Sequence, residues 1–395
     1  MKPKPSHLIY ICLFFLCIAQ TTAEPIAFEK ILPDTMKDML RQLSGSKPAL
    51  IDGKLVNIPE RANTTNRANA RAFLKQFYLQ YGYAVSEHNY GAGVNLVAIK
   101  NGEDDSIVVV GAHYDGVSNI PAADDNAAGC ISVLNAAKAL AKCSFKHTIH
   151  FLAFDQEELG WRGATAYVNK LDADGKLKKV IAMFNSEGVS FDSDNDGHFH
   201  LNDRGGGGIT RNKILVDAIQ AAITKYSIAL VPELERGTTF RVESDMKAFW
   251  DKNIPATVVT TANTDGGPCY HKPCDSVSSK MNFEFSAKMS KMTAGATAEL
   301  AKLIGTSVVN SVNLFSKSTD MISISKNGFT VHSSIKKQVE VSVFSITGRK
   351  VFSGMVSVNA LISHKMLGLD NANSLNIIKM TDGNHHANFT LPVQR

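Results

Sequence analysis

Several short stretches hold residues whose types and spacing suit chemistry. Ala112-His113-Tyr114-Asp115 closes an apolar run, and in an extended chain His113 and Asp115 face the same way. That pair suits a metal-binding imidazole with a carboxylate behind it. Further on, Asp124-Asp125-Asn126 leads into a helical pattern. One of the three can act as the helix N-cap, which leaves Asp125 open to another duty. Asp155-Gln156-Glu157-Glu158 closes a second apolar run. Adjacent carboxylates there repel unless a cation or a proton separates them, although a solvated loop would carry them at little cost. Asn185-Ser186-Glu187 closes a third run. His271 lies in Cys269-Tyr270-His271-Lys272-Pro273-Cys274-Asp275, where, taken alone, it reads as a surface or packed histidine. Together these are two histidines and several carboxylates at strand ends, on the side where α/β sheets place their sites. Oxygen and imidazole ligands without thiolates suit a hydrolytic Zn²⁺ pair.

The elements that must position these residues are legible too. Residues 106–112, 148–155, 179–185 and 255–261 are near-continuous apolar runs, the pattern of strands buried on both faces. Helical patterns cover 66–81, 126–142 with Ala127, Ile131, Leu134 and Ala141 on one side, a stretch near 212–225, and 284–304 with Met289, Met292, Ala296, Leu300 and Leu303 on one stripe. Strands alternating with helices predict an α/β sheet covered on both faces. After Gly305 the helical period disappears. Residues 338–346 alternate apolar and polar positions, and Thr381-Asp382-Gly383 marks a hairpin turn. A small C-terminal antiparallel β domain is expected there.

The motifs AHYDG, ADDNAAG, FDQEELGWRG, NSE and CYHKPCDSV, taken in order, resemble those of the secreted co-catalytic dizinc aminopeptidases, over about residues 40–305. The resemblance implies a three-layer α/β/α sandwich with a mixed, largely parallel sheet, and two zinc ions per chain. It implies that Asp125 bridges the two zincs. His113 and Glu187 would complete one, and Glu158 and His271 the other. Glu157 would be the general base for a bridging water, and Asp115 the carboxylate behind His113. Two departures from the family pattern stand out. Glu187 takes a place where Asp is frequent, and its extra methylene lengthens the reach by about 1.5 Å. Met246 takes a place where His is usual, so an apolar, flexible pocket wall is expected there.

The remaining features bound the function. Of 395 residues, 44% are hydrophobic, which excludes a disordered chain. The 42 basic and 37 acidic residues are interspersed without a basic block, so a nucleic-acid partner is not expected. Lys2 and Lys4, the apolar stretch 8–19 and Thr21-Thr22-Ala23 read as a signal peptide over 1–23. A secreted or periplasmic monomer without a membrane span follows as the expectation. The catalytic domain would cover 24–305, and a β-rich accessory or sorting domain 306–395. Cys269 and Cys274 are spaced to staple the His271 loop. Cys130 and Cys143, at opposite ends of one helical pattern, are too far apart to pair and are expected as buried thiols. Asp192, Asp194, Asp196 and Asp203, around Gly197, resemble a Ca²⁺ loop, with a solvated acidic turn as the alternative. The substrates expected are peptides with a free, hydrophobic N-terminal residue. The rivals are a carboxypeptidase, a glutaminyl-cyclase-like acyltransferase and a non-catalytic binding protein.

Overall fold

A computed structural model describes residues 26–205, 212–236, 243–261 and 269–306, together with the backbone of strands between 321 and 391. The expected signal peptide lies outside the described residues. An eight-stranded sheet forms the centre. Its strands are β1 (Ala84–Asn89), β2 (Val94–Lys100), β3 (Ile107–His113), β4 (Thr148–Phe154), β5 (Val180–Ser186), β6 (His198–Gly205), β7 (Val231–Arg236) and β8 (Ala256–Thr261). Their order is β7-β6-β8-β5-β3-β4-β2-β1. The central run β8-β5-β3-β4 is parallel throughout, β6 and β7 pair parallel, and the remaining neighbours are antiparallel. The sheet is therefore mixed and largely parallel, as expected.

The apolar runs have a direct physical reason. Along β3, Val108, Val110 and Ala112 enter one core cluster, while Ile107 and Val109 enter another. Along β4, Ile149, Phe151 and Ala153 face the first cluster, and Leu152 and Phe154 the second. Side chains alternate across a strand, so a strand covered on both faces needs apolar residues at every position. The first face is covered by α1 (Pro33–Leu43), α2 (Thr64–Gln80), α3 (Gly129–Leu140), α5 (Lys213–Lys225) and α7 (Phe283–Leu300). The second is covered by α4 (Arg162–Ala173) and α6 (Met246–Trp250). This is a three-layer α/β/α sandwich.

Local signals set the helix starts. Asn63 accepts a hydrogen bond from Asn66 N at the head of α2, and Asn282 one from Phe285 N at the head of α7. Helix α3 departs from the sequence reading. A single stripe was expected, but all of its residues except Lys138 are buried, because α1, α2 and α7 pack around it. It also ends at Leu140, so Cys143 opens a short strand, Cys143–Phe145, that pairs with Leu303–Thr306. Cys130 and Cys143 are both buried thiols outside any disulfide, as expected. Beyond residue 320 the strands pair antiparallel, in one sheet of three and one of four. No described helix is long and apolar enough to cross a membrane.

One buried group on β4 gives the fold a pH dependence. His150 Nδ1 stands 2.6 Å from the Tyr167 hydroxyl. Burial, with Lys176 as a lesser cause, lowers its pKa to about 4. An unfolded histidine titrates near 6.5, so the unfolded chain binds more protons between those values and stability falls as pH falls through that window. His150→Gln, which cannot titrate, should remove up to about 3 kcal/mol of the decline. Urea unfolding of both proteins at pH 7 and pH 4 checks this.

Candidate active site

The candidate residues converge at the C-terminal ends of β3, β4 and β5. His113 is the last residue of β3, and its side chain is only 1% exposed. Asp124, Asp125 and Asn126 lie in a turn over Ala123–Ala128, between that strand and α3. Glu157 and Glu158 occupy a single 3-10 turn, Glu157–Leu159, between β4 and α4. Glu187 follows β5. His271 reaches in from the loop after β8, closed by a Cys269–Cys274 disulfide. Several of these segments turn on non-glycine residues with left-handed backbone: Ala122 (φ 52°), Gln156 (φ 60°), Trp161 (φ 51°) and His271 itself (φ 53°). Such conformations cost free energy and cluster where a fold must aim side chains.

Asp125 stands at the centre. Its Oδ1 lies 3.4 Å from His113 Nε2, and its Oδ2 lies 3.1 Å from His271 Nε2. His113 Nε2 is also 2.9 Å from Glu187 Oε1, and His271 Nε2 is 3.1 Å from Glu158 Oε2. Two triads result, His113–Asp125–Glu187 and Asp125–Glu158–His271, and they share one carboxylate. Glu157 Oε2 comes within 3.9 Å of His113 Nε2.

The residues present fit a pair of cations. Asp125 Oδ2, Glu158 Oε1 and both oxygens of Asp245 are buried acceptors that receive no hydrogen bond. Lone pairs left in that state are costly unless a positive charge meets them. Burial first, and then the neighbouring carboxylates, push Glu157 well above the ordinary carboxylate range and Glu158 up to about 7. Burial, followed by Glu187 and Asp115, raises Asp245 strongly as well.

A layer of side chains behind the triads holds their loops. Asp115 Oδ1 lies 3.3 Å from His113 Nδ1, and its two oxygens also accept hydrogen bonds from Glu157 N (3.0 Å) and Glu158 N (3.2 Å). The Ser244 hydroxyl donates to Glu187 Oε2 at 2.6 Å and accepts from Asn185 Nδ2 at 2.9 Å. That anchor accommodates the longer reach of Glu187. Asn126, one of three candidate caps, accepts from Gly129 N at 3.0 Å and donates to Ser186 O at 2.8 Å. A Cβ on Gly129 would stand 2.1 Å from Asn126 Oδ1 and 2.4 Å from Ser186 O, so glycine is required there.

Sequence reasoning missed Ser244, Asp245 and Asp275 as parts of the site, although Asp275 lies within a quoted motif and Ser244 and Asp245 directly precede Met246. Arg61 was missed too. It is fully buried and donates to the carbonyls of Leu43, Tyr114, Pro121 and Ala122. One expectation is corrected: Met246 is buried in the second core cluster beside Phe249 and Trp250 and is not an accessible pocket wall. Among the described residues, Leu159 and Tyr270, each adjacent in the chain to a triad residue, carry exposed apolar side chains. Of the calcium candidates, the carboxylates of Asp192, Asp194 and Asp196 gather together. The Asp203 side chain lies outside the described residues.

A profile of peptidase family M28 matches residues 95–297, more than half of the chain. The chain belongs to that family. The match runs from β2 into α7 and takes in both triads. Among individual relatives, a probable leucine aminopeptidase 2 of Arthroderma benhamiae is 31% identical over 169 residues, 41% of this chain and 32% of that one. The matched part thus spans about a third of that relative's length. Among solved structures, the LapA aminopeptidase of Legionella pneumophila aligns with a TM-score of 0.58 at 21% identity, over 75% of this chain and 77% of that one. A glutaminyl cyclase of Macrostomum lignano aligns with a TM-score of 0.54 at 18% identity, over 69% and 92%. The M28 sandwich is thus shared with enzymes of different names.

The Glu157–Glu158 turn also rests on an ion pair. Asp155, which follows β4 and precedes that turn, is 3.0 Å from Arg67 Nε of α2, and both are buried. Arg67→Met would leave a buried carboxylate uncompensated and should cost about 3–5 kcal/mol. Adding Asp155→Asn should recover most of the loss. Urea denaturation of the single and double variants measures both effects.

Proposed function

We propose that this M28 member is a secreted zinc-dependent aminopeptidase that releases hydrophobic N-terminal residues from peptides. The observation that carries the reading is the geometry of Asp125, which turns one oxygen toward His113 and the other toward His271. A carboxylate placed in that way suits a bridging ligand between two cations. His113 and Glu187 complete one zinc position in this reading, and Glu158 and His271 the other. The donor set of imidazole and carboxylate without thiolate favours zinc in a hydrolytic role. Bound there, the zinc pair would polarise the scissile carbonyl and acidify water.

The chain's own residues do the rest. Glu157 is the general base: its carboxylate takes a proton from the attacking water and then delivers it to the departing amine. Asp115 fixes that carboxylate through the backbone of Glu157 and also orients His113. The carboxylate-rich site attracts the free α-ammonium of a peptide by Coulomb force. Leu159 and Tyr270 offer apolar surface beside the ligands, which supports a hydrophobic substrate residue. We assign the chemistry to residues 24–305 and an accessory or sorting role to 306–395.

Two experiments test the reading. Glu157→Ala should keep about two zinc ions per chain. Its turnover should fall by about 10²–10⁴-fold. Glu158→Ala should instead lose one metal and regain part of its activity when zinc is added. Elemental analysis with steady-state kinetics separates the two, and swapped behaviour would reverse the roles.

The second experiment compares leucyl-p-nitroanilide with its N-acetylated form. Cleavage of the blocked substrate should nearly vanish. Equal cleavage of both would reject the aminopeptidase reading. One zinc per chain with cyclisation of N-terminal glutamine would favour the cyclase reading.

A further inference from the structure

The backbone of Asp125 is held by a residue that belongs to another ligand loop. Asp275 lies next to Cys274, at the end of the loop that carries His271, and is 2% exposed. Its Oδ1 accepts from Asp124 N at 2.8 Å and its Oδ2 from Asp125 N at 3.1 Å. Its carbonyl accepts from Ala123 N at 3.2 Å. Three successive N–H groups thus end on one residue. N–H groups ahead of a helix have no intrahelical acceptor, and a nearby side chain ordinarily caps them. Here the acceptor comes from far along the chain.

The opposite side of the same segment is gripped through its carbonyls. Arg61 donates from Nε to Tyr114 O at 2.7 Å, from Nη1 to Pro121 O at 2.8 Å and from Nη2 to Ala122 O at 2.6 Å. The stretch from Tyr114 to Asp125 therefore cannot shift without breaking charge-assisted hydrogen bonds on one side or the other. The His271 loop is more exposed, with the His271 side chain 39% accessible. Its registry with Asp125 runs through Asp275.

We propose that Asp275 is a positioning residue. Its carboxylate sets the backbone of Asp125 against the His271 loop, and so governs how tightly the cation shared by Asp125, Glu158 and His271 is held. The inference rests on the zinc-site reading above. Side chains that orient metal ligands typically contribute 10–100-fold in metal affinity. In Asp275→Asn, one of the two backbone N–H groups would face an amide NH₂, which cannot accept.

The test uses the full chain. Zinc affinity is measured by chelator competition, and the visible spectrum is recorded after Co²⁺ substitution. Wild-type protein that binds no zinc would overturn the zinc-site reading itself, before any variant is examined. With zinc bound in the wild type, Asp275→Asn should hold at least one zinc about 10–100-fold more weakly and show an altered cobalt spectrum. A role confined to stability would lower the melting temperature of the metal-free protein and leave the cobalt spectrum unchanged. If Asp275→Asn does not fold, Asp275→Glu decides, because it keeps the charge but displaces the carboxylate by one methylene. It should show a smaller loss of the same kind. A folded variant of either type with wild-type zinc affinity and spectrum would overturn the proposal.

Discussion

Carboxylates buried against one another are the constraint on which the rest of the site depends. Asp115, Asp125, Glu157, Glu158, Glu187 and Asp245 all meet at one end of the sheet, with two imidazoles among them. Like charges in a low-dielectric interior either gain protons, gain cations or push apart. The fold opposes the last by holding the loops that carry them, through the backbone at Asp125, Glu157 and Glu158 and through Ser244 at Glu187. Strands β3, β4 and β5 are covered on both faces, so their ends are anchored in packed core and can hold an arrangement that opposes its own charge.

The fixing is reciprocal. Asp115, after β3, holds the backbone of the turn after β4. Asp275, after β8, holds the backbone of the turn before α3. Asp124 in that turn accepts from Ser190 N, beyond the end of β5. Asn126 reaches Ser186 at the end of the same strand. No ligand loop is secured by its own residues alone, so the loops have to assemble as a group. Such networks exceed the sum of their pairs when every member is satisfied.

Much of this was legible in the sequence, for reasons that can be named. The apolar runs in β3 and β4 announced strands because both faces of each are buried. His113, Glu157, Glu158 and Glu187 were legible as candidates because each lies just beyond such a run, Asp125 because a helix start needs only one of three adjacent polar residues as its cap, and His271 because cysteines bracket it. What escaped was the layer behind them. Asp275 acts on residues far away in the chain, and Arg61 acts on carbonyls, which carry no sequence signal at all. Met246 was read as a pocket wall because of the residue type it replaces, whereas its direction is set by the packing of α6 against α4. The full burial of α3 escaped for a similar reason, since a stripe of apolar residues does not reveal how many neighbours will cover the other sides.

The two triads differ in one respect. The side chain of His113 is almost wholly enclosed, while that of His271 is more than a third open to solvent. An ion in the outer position of the zinc reading would exchange with its surroundings quickly. An ion in the inner position, beside an imidazole that is only 1% exposed, would exchange more slowly. The pair would then carry two memories of the medium. The outer position would report the metal available at the moment, and the inner one the metal available over a longer past.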